Sequence, residues 1–316
     1  MKKRFLFICI IAVCFLCGCK NFKGKAEPLS KSGFAFDTFI TISLYDVKDE
    51  KILNECFNMC EDYENLFSKT IATSEISKIN TSKGESVNVS KDTFELIEKG
   101  LYYGEISDGL FDITIAPVSN LWDFHGEGSV PDDSLIKKTI NHVSYRNLSL
   151  NKADFSVSKL DPDLEIDLGG IAKGYIADKL KEYLISQNVK SALINLGGNI
   201  ITIGTKPDGT PFKIGIKKPF NENEIEATVE LNDKAVSTSG VYERCFYEDD
   251  KLYHHILNPK TGYPIETDLW GVSVVCDSST DADAIGTICI LMGYEKAKAF
   301  TDTMQNIDII WSKKEN

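Results

Sequence analysis

The spacing of apolar positions changes period several times along this chain. From Lys51 to Leu66 they recur at helical spacing (Ile52, Leu53, Cys56, Phe57, Cys60), which predicts an amphipathic helix. Ser74–Asn80 predicts a short helix, capped by Thr73 or Ser74 with Glu75 in its first turn, and Thr93–Ser107 a third. Ala172–Gln187 carries a strong stripe (Ala172, Ile176, Ala177, Leu180, Leu184), and Ser279–Met292 and Glu295–Thr303 close the set of helices. Between them lie β-rich runs bounded by turn residues: Phe36–Tyr45, Leu148–Leu168, Ala192–Leu196, Ile200–Gly204, Phe212–Ile216, Ala227–Leu231, Ala235–Ser239, Leu252–Ile256, Gly271–Cys276 and Ile307–Trp311. Phe111–Trp122, with Pro117 inside it, reads as strand or loop, and Gly126–Asp133 as a polar loop. Strands and helices mix without regular βαβ alternation. The fold class is therefore α+β: a mixed domain over residues 33–313, in one body or two lobes.

The N-terminus breaks this pattern. Lys2, Lys3 and Arg4 precede an apolar run from Phe5 to Phe15, and Leu16-Cys17-Gly18-Cys19 follows. This resembles the signal peptide and lipobox of a bacterial lipoprotein, with residues 1–18 removed, lipid on Cys19 and residues 19–32 as tether. A transmembrane anchor is the alternative, but the run is short for a span. The expected location is the extracytoplasmic face of a bacterial membrane, held by lipid. The chain carries 35 Lys and Arg against 47 Asp and Glu, a formal net charge of −12, which argues against a nucleic-acid partner. Beyond the signal the cysteines are Cys56, Cys60, Cys245, Cys276 and Cys289, an odd number without Cys-x-x-Cys spacing, so no disulfide framework is expected.

Four segments offer chemistry. Asp167-Leu-Gly-Gly-Ile-Ala-Lys-Gly-Tyr-Ile-Ala-Asp178 places Gly169 and Gly170 between a predicted strand (164–168) and a helix N-terminus. Such a turn suits a phosphate; the alternative is a tight turn without a ligand. In Asp281-Ala-Asp-Ala-Ile-Gly-Thr287, Asp283 and Thr287 share one helix face, and a carboxylate with a hydroxyl suits Mg²⁺. Asp281 is there a supporting group or an N-cap, and simple capping is the alternative for the whole segment. His255 enters a stiff Pro/Gly turn (255–264), either as a site residue or incidentally. Ser237-Thr-Ser-Gly-Val-Tyr-Glu-Arg244 offers hydroxyls and a cation, or is simply a polar strand end. P-loop, Gly-x-Gly-x-x-Gly and Gly-x-Ser-x-Gly motifs are absent, and no histidine pair has zinc spacing.

Taken in order, these segments resemble the ApbE-type flavin transferases, which move FMN from FAD to a protein threonine. The match runs through Gly109-Leu-Phe-Asp-Ile-Thr-Ile-Ala-Pro117, Leu121-Trp-Asp-Phe124, Asp167–Asp178, Asn195-Leu-Gly-Gly-Asn199, Ser237-Thr-Ser-Gly240, His255–Gly262 and Asp283-x-x-x-Thr287. The resemblance implies Mg²⁺ held by Asp283, Thr287 and the backbone carbonyl of Ala172. It implies FAD contacts at Phe36, Trp122, Asp123, Phe124, Gly169, Gly170, Tyr175 and His255, with His255 and Asp283 as catalytic residues. Phe36-Asp37-Thr38 departs from the family's Met-Gly-Thr, Thr70 stands where a tyrosine is common, and Asn258 stands where an aspartate is usual. The implied partners are FAD as substrate and acceptor proteins carrying a threonine, subunits of redox pumps or of extracellular electron transfer. The rival readings are an FAD pyrophosphatase and a non-catalytic flavin-binding lipoprotein.

Overall fold

The computed structural model describes residues 27–124 and 126–314. The expected signal peptide and the expected lipidation site at Cys19 lie outside the described residues. In chain order the elements are β1 (Leu29–Ala35), β2 (Thr38–Leu44), α1 (Glu50–Phe67), α2 (Glu75–Thr81), β3 (Val87–Asn88), α3 (Lys91–Ile106), α4 (Ala116–Ser119) and α5 (Asp133–Thr139). There follow β4 (Leu148–Asn151), β5 (Ser156–Lys159), α6 (Ala172–Ser186), β6 (Ala192–Leu196), β7 (Asn199–Ile203), β8 (Phe212–Lys218), β9 (Asn221–Leu231) and β10 (Ala235–Gly240). The chain closes with β11 (Cys245–Glu248), β12 (Lys251–His254), β13 (Leu269–Cys276), α7 (Ser279–Met292), α8 (Tyr294–Thr301) and β14 (Asp308–Lys313).

An antiparallel sheet in the order β1-β2-β6-β7-β10-β13-β14 is the frame. Its side chains alternate, as the pleat requires. Ile40, Ile42, Ile194 and Val274 point into the main core with α1, α6 and α7. On the other face Leu193, Ile200, Val236 and Val275 meet the β8–β9 hairpin through Phe212, Ile214 and Leu231. Helix α7 is buried along most of its length, which explains its apolar composition. The α+β class holds.

Four local expectations are corrected. The first strand begins at Leu29, inside the expected tether, and Phe36–Tyr45 is one arm of a hairpin. Its turn is Phe36-Asp37, both at φ 55°, a conformation that Phe rarely signals. The 164–168 strand is an extended segment making one isolated bridge, Ile115 to Glu165. Phe111–Trp122 holds no strand, and Pro117 instead lies in the first turn of α4, where its missing N–H costs little. Cys56, Cys60, Cys245, Cys276 and Cys289, for which no disulfide framework was expected, are free, and all but Cys245 are buried.

Candidate active site

The glycine turn is held from below. Asp112 accepts from Thr114 N (2.8 Å), Thr114 Oγ1 (2.6 Å) and Tyr145 N (2.9 Å), which fixes the 111–115 segment. That segment runs beside 165–167 and donates no charge to it: the link is Asp167 N to the Ile113 carbonyl, 2.7 Å. The Phe111 ring packs where a side chain on Gly170 would begin, at 3.2 Å. Lys69 Nζ reaches Asp167 Oδ2 at 2.9 Å, and the Gly169 N–H donates to Asp167 Oδ1 at 2.8 Å. Burial would raise the Asp167 carboxyl, but Lys69 and these hydrogen bonds hold it below the usual carboxylate range.

The Gly169 N–H is therefore spent within the turn. Gly170 N–H has no protein partner among the described residues, and α6 begins without a side-chain cap. Open amides at a helix N-terminus attract anions. Lys173, in the first turn of α6, adds a cation, with Nζ 3.5 Å from the Gly169 carbonyl.

Helices α6 and α7 touch at Gly174, where any Cβ would collide with the Ser279 carbonyl. The close approach lets the Gly174 N–H donate to Asp283 Oδ2 at 3.1 Å. Four residues further along α6, Asp178 accepts from Ser278 Oγ (2.9 Å), Ser279 N (2.8 Å), Thr280 N (2.9 Å) and Thr280 Oγ1 (2.6 Å). Asp178 thus holds the start of α7 in place. The true N-cap is Ser278, and Asp281 takes the Tyr103 hydroxyl at 2.7 Å, so Asp281 neither caps nor supports the candidate metal site.

Asp283 is 5% exposed. Besides Gly174 N, its carboxylate meets Ser237 Oγ only at 3.5 Å. Burial pushes its pKa up, and Lys173, Gly174, Asn199 and Ser237 pull it back in part. No Lys or Arg among the described residues forms an ion pair with it. One turn along, Thr287 Oγ1 lies 3.4 Å from Ser239 Oγ. Asp283, Thr287, Ser237 and Ser239 thus bring hard oxygens together near the N-terminal end of α6, through Gly174 and Gly170. A buried carboxylate without a cation, ringed by hydroxyls, fits Mg²⁺. Another acidic group, His142–Asp161–Asp163, differs: His142 Nδ1 is bonded to Asp161 (2.8 Å), and Asp163 pairs with Lys83 (3.3 Å).

His255 is tethered by its own N–H to the Arg244 carbonyl at 3.0 Å, and its Nδ1 is enclosed without a partner. Burial, then the positive charge of Arg244 and Lys173 and the neighbouring His254 ring, lower its pKa to about 3, so the ring is neutral at pH 7. The turn that follows it is pinned by Trp122, whose Nε1 donates to the Gly262 carbonyl at 3.0 Å. Trp122 is buried, stacked on Phe124 with ring centroids 5.4 Å apart and edged by Tyr263.

The chain as a whole has known counterparts. The ApbE family model matches residues 36–311. The chain belongs to the ApbE family. An FAD:protein FMN transferase of Klebsiella pneumoniae is 37% identical over 279 residues, covering 87% of this chain and 86% of that protein. One from Treponema pallidum is 31% identical, covering 95% and 89%. Among solved structures, the ApbE protein of Thermotoga maritima superposes with a TM-score of 0.83 at 30% identity, covering 90% and 94%. The flavin transferase ApbE of Vibrio cholerae gives 0.83 at 27%, covering 92% and 94%.

In this ApbE chain the expected site residues divide. Asp283, Thr287, Gly170 and the first turn of α6, which Ala172 begins, lie together, with His255 tied to the Arg244 end of the segment that follows β10. Tyr175 does not join them: its hydroxyl is taken by Asp92 (2.9 Å) and Glu95 (3.1 Å), and its ring packs edge-on to Tyr63 and Phe67. Trp122 offers no free N–H, and Asp123 folds its own loop by accepting from Gly126 N at 2.8 Å. Phe36 lies half-buried in the hairpin turn, its N–H bonded to Glu64 at 3.0 Å. Reading by motif alone passed over Lys69, Asp178 and Asn199 as individual site residues. Asp178 and Asn199 each ended a motif singled out in the sequence, Asp167–Asp178 and Asn195–Asn199, whereas Lys69 carried no signal.

Proposed function

We propose that this chain transfers the FMN half of FAD to a threonine hydroxyl of an acceptor protein and releases AMP. The carrying observation is the buried Asp283 carboxylate, without an ion-pair partner and one helical contact from the open N-terminus of α6. The names of the curated relatives point the same way: FAD:protein FMN transferase.

Asp283, Thr287 and the Ala172 carbonyl would hold Mg²⁺, which when bound neutralises charge on the pyrophosphate. The Gly170 amide would meet a phosphate oxygen at the N-terminal end of α6, with Lys173 adding charge. The acceptor Oγ attacks the FMN phosphorus in line; an O–P bond forms, the bridging O–P bond breaks, and AMP leaves with the bridging oxygen. His255, neutral and with a free nitrogen, takes the hydroxyl proton. Incoming phosphate charge raises the proton affinity of this imidazole. The lipobox reading adds that Cys19 anchors the enzyme outside the membrane, where acceptors of redox systems would meet it.

The test mixes purified protein, FAD, Mg²⁺ and a threonine-bearing acceptor domain, then reads the acceptor's intact mass. Addition of FMN that stops on chelation is expected. Free FMN and AMP with an unmodified acceptor would mean hydrolysis instead, and intact FAD would mean a flavin binder.

A further inference from the structure

Asn199 is buried at the start of β7, 2% exposed, and its two amide atoms are treated differently. Oδ1 accepts from Ser237 Oγ at 2.9 Å. Nδ2 is enclosed with no partner at full hydrogen-bond geometry, yet lies close enough to Asp283 to help hold that carboxylate in its charged form. A carboxylate accepts and does not donate, so the amide nitrogen is the atom that belongs on the Asp283 side.

Ser237 has one proton and two acceptors in reach, Asn199 Oδ1 at 2.9 Å and Asp283 Oδ1 at 3.5 Å. The shorter contact takes the proton. The serine oxygen then turns lone pairs, not hydrogen, toward the space beside Asp283. Without Asn199 the hydroxyl would swing to the carboxylate and cover one of its oxygens. A cation would then have to displace that hydrogen bond.

We infer that Asn199 is a positioning residue: it draws off the Ser237 proton so that Ser237 and Asp283 present only oxygen lone pairs to a divalent cation. The inference deepens the metal reading of Asp283 given above and rests on it. Groups that orient metal ligands commonly account for 10- to 100-fold in metal affinity.

The test is Mg²⁺ affinity measured by calorimetry on the full chain without FAD, beside thermal unfolding of the same samples. Asn199→Ala should weaken Mg²⁺ binding about tenfold or more, while FAD affinity measured in EDTA stays within about twofold. Ser237→Ala should weaken Mg²⁺ binding as well, and the double variant should lose little beyond Asn199→Ala, because the two act as one unit. Should Asn199→Ala fail to fold, Ser237→Ala decides alone. Wild-type Mg²⁺ affinity in the folded variants would overturn the inference and leave the metal reading standing. No Mg²⁺ binding in the wild type would overturn both.

Discussion

Asp178 and Asp283 lie at two ends of the contact between α6 and α7, and the fold treats them oppositely. Asp178 accepts four hydrogen bonds from residues 278–280. Asp283 accepts one at 3.1 Å from the Gly174 N–H, with the Ser237 oxygen 3.5 Å away, although it is the more deeply enclosed. Asp167, in the same motif as Asp178, is saturated too, by Lys69 and Gly169. A carboxylate whose lone pairs are filled by its own chain builds structure. One buried and left short of partners is set aside for a ligand.

The contrast predicts stability changes of opposite sign on two facing helices. Asp178→Asn replaces two acceptor oxygens by one and should cost about 2–4 kcal/mol in urea unfolding, with Mg²⁺ affinity unchanged. Asp283→Asn removes a buried, unpaired charge. Its raised pKa means the folded state holds its proton more tightly than the unfolded chain. The apo wild type therefore loses stability as pH rises above the ordinary carboxylate range. Without Mg²⁺ the Asn variant should match or exceed the wild type by about 1 kcal/mol near neutrality, and should gain nothing when Mg²⁺ is added. A strong loss of stability in that variant would break the comparison.

Lys69→Met tests the third carboxylate. Both partners are about a quarter exposed, so solvent softens the loss, and about 1–2 kcal/mol is expected, with weaker FAD binding as the glycine turn loosens. The smallest effect concerns His254, whose Nε2 lies 3.1 Å from the Ile265 carbonyl. Burial lowers its pKa to about 4 from 6.5. The unfolded chain takes up this proton below pH 6.5 and the folded chain does not, so stability falls as pH drops from 6.5 toward 4 and is flat above. His254→Gln should shrink that slope in pH-dependent urea unfolding, leaving the part due to His255.

Helix α7 was legible in the sequence, ends included, because its cap and its glycine stop are local signals. The shared face of Asp283 and Thr287 follows from helical period alone. What filled each carboxylate was not legible. Asp178 and Tyr175 sit three apart in one motif, but their partners come from residues 278–280 and from α3, set by tertiary packing. That the Trp122 N–H pins the Gly262 carbonyl was not legible either, because the two residues are 140 apart in the chain. The Phe36-Asp37 turn lacks the glycine or asparagine that usually marks a left-handed pair, so the first arm of the hairpin goes unread and most of it falls in the expected tether.

The most direct measurement is single-turnover FMN transfer by the wild type, Asp178→Asn and Asp283→Asn, with Mg²⁺, at a temperature where all three are folded. Asp178→Asn should transfer within a few-fold of the wild type, and Asp283→Asn should fall by about a thousandfold or more, as expected for loss of a metal-assisted step. Transfer by Asp283→Asn at the wild-type rate would contradict the account.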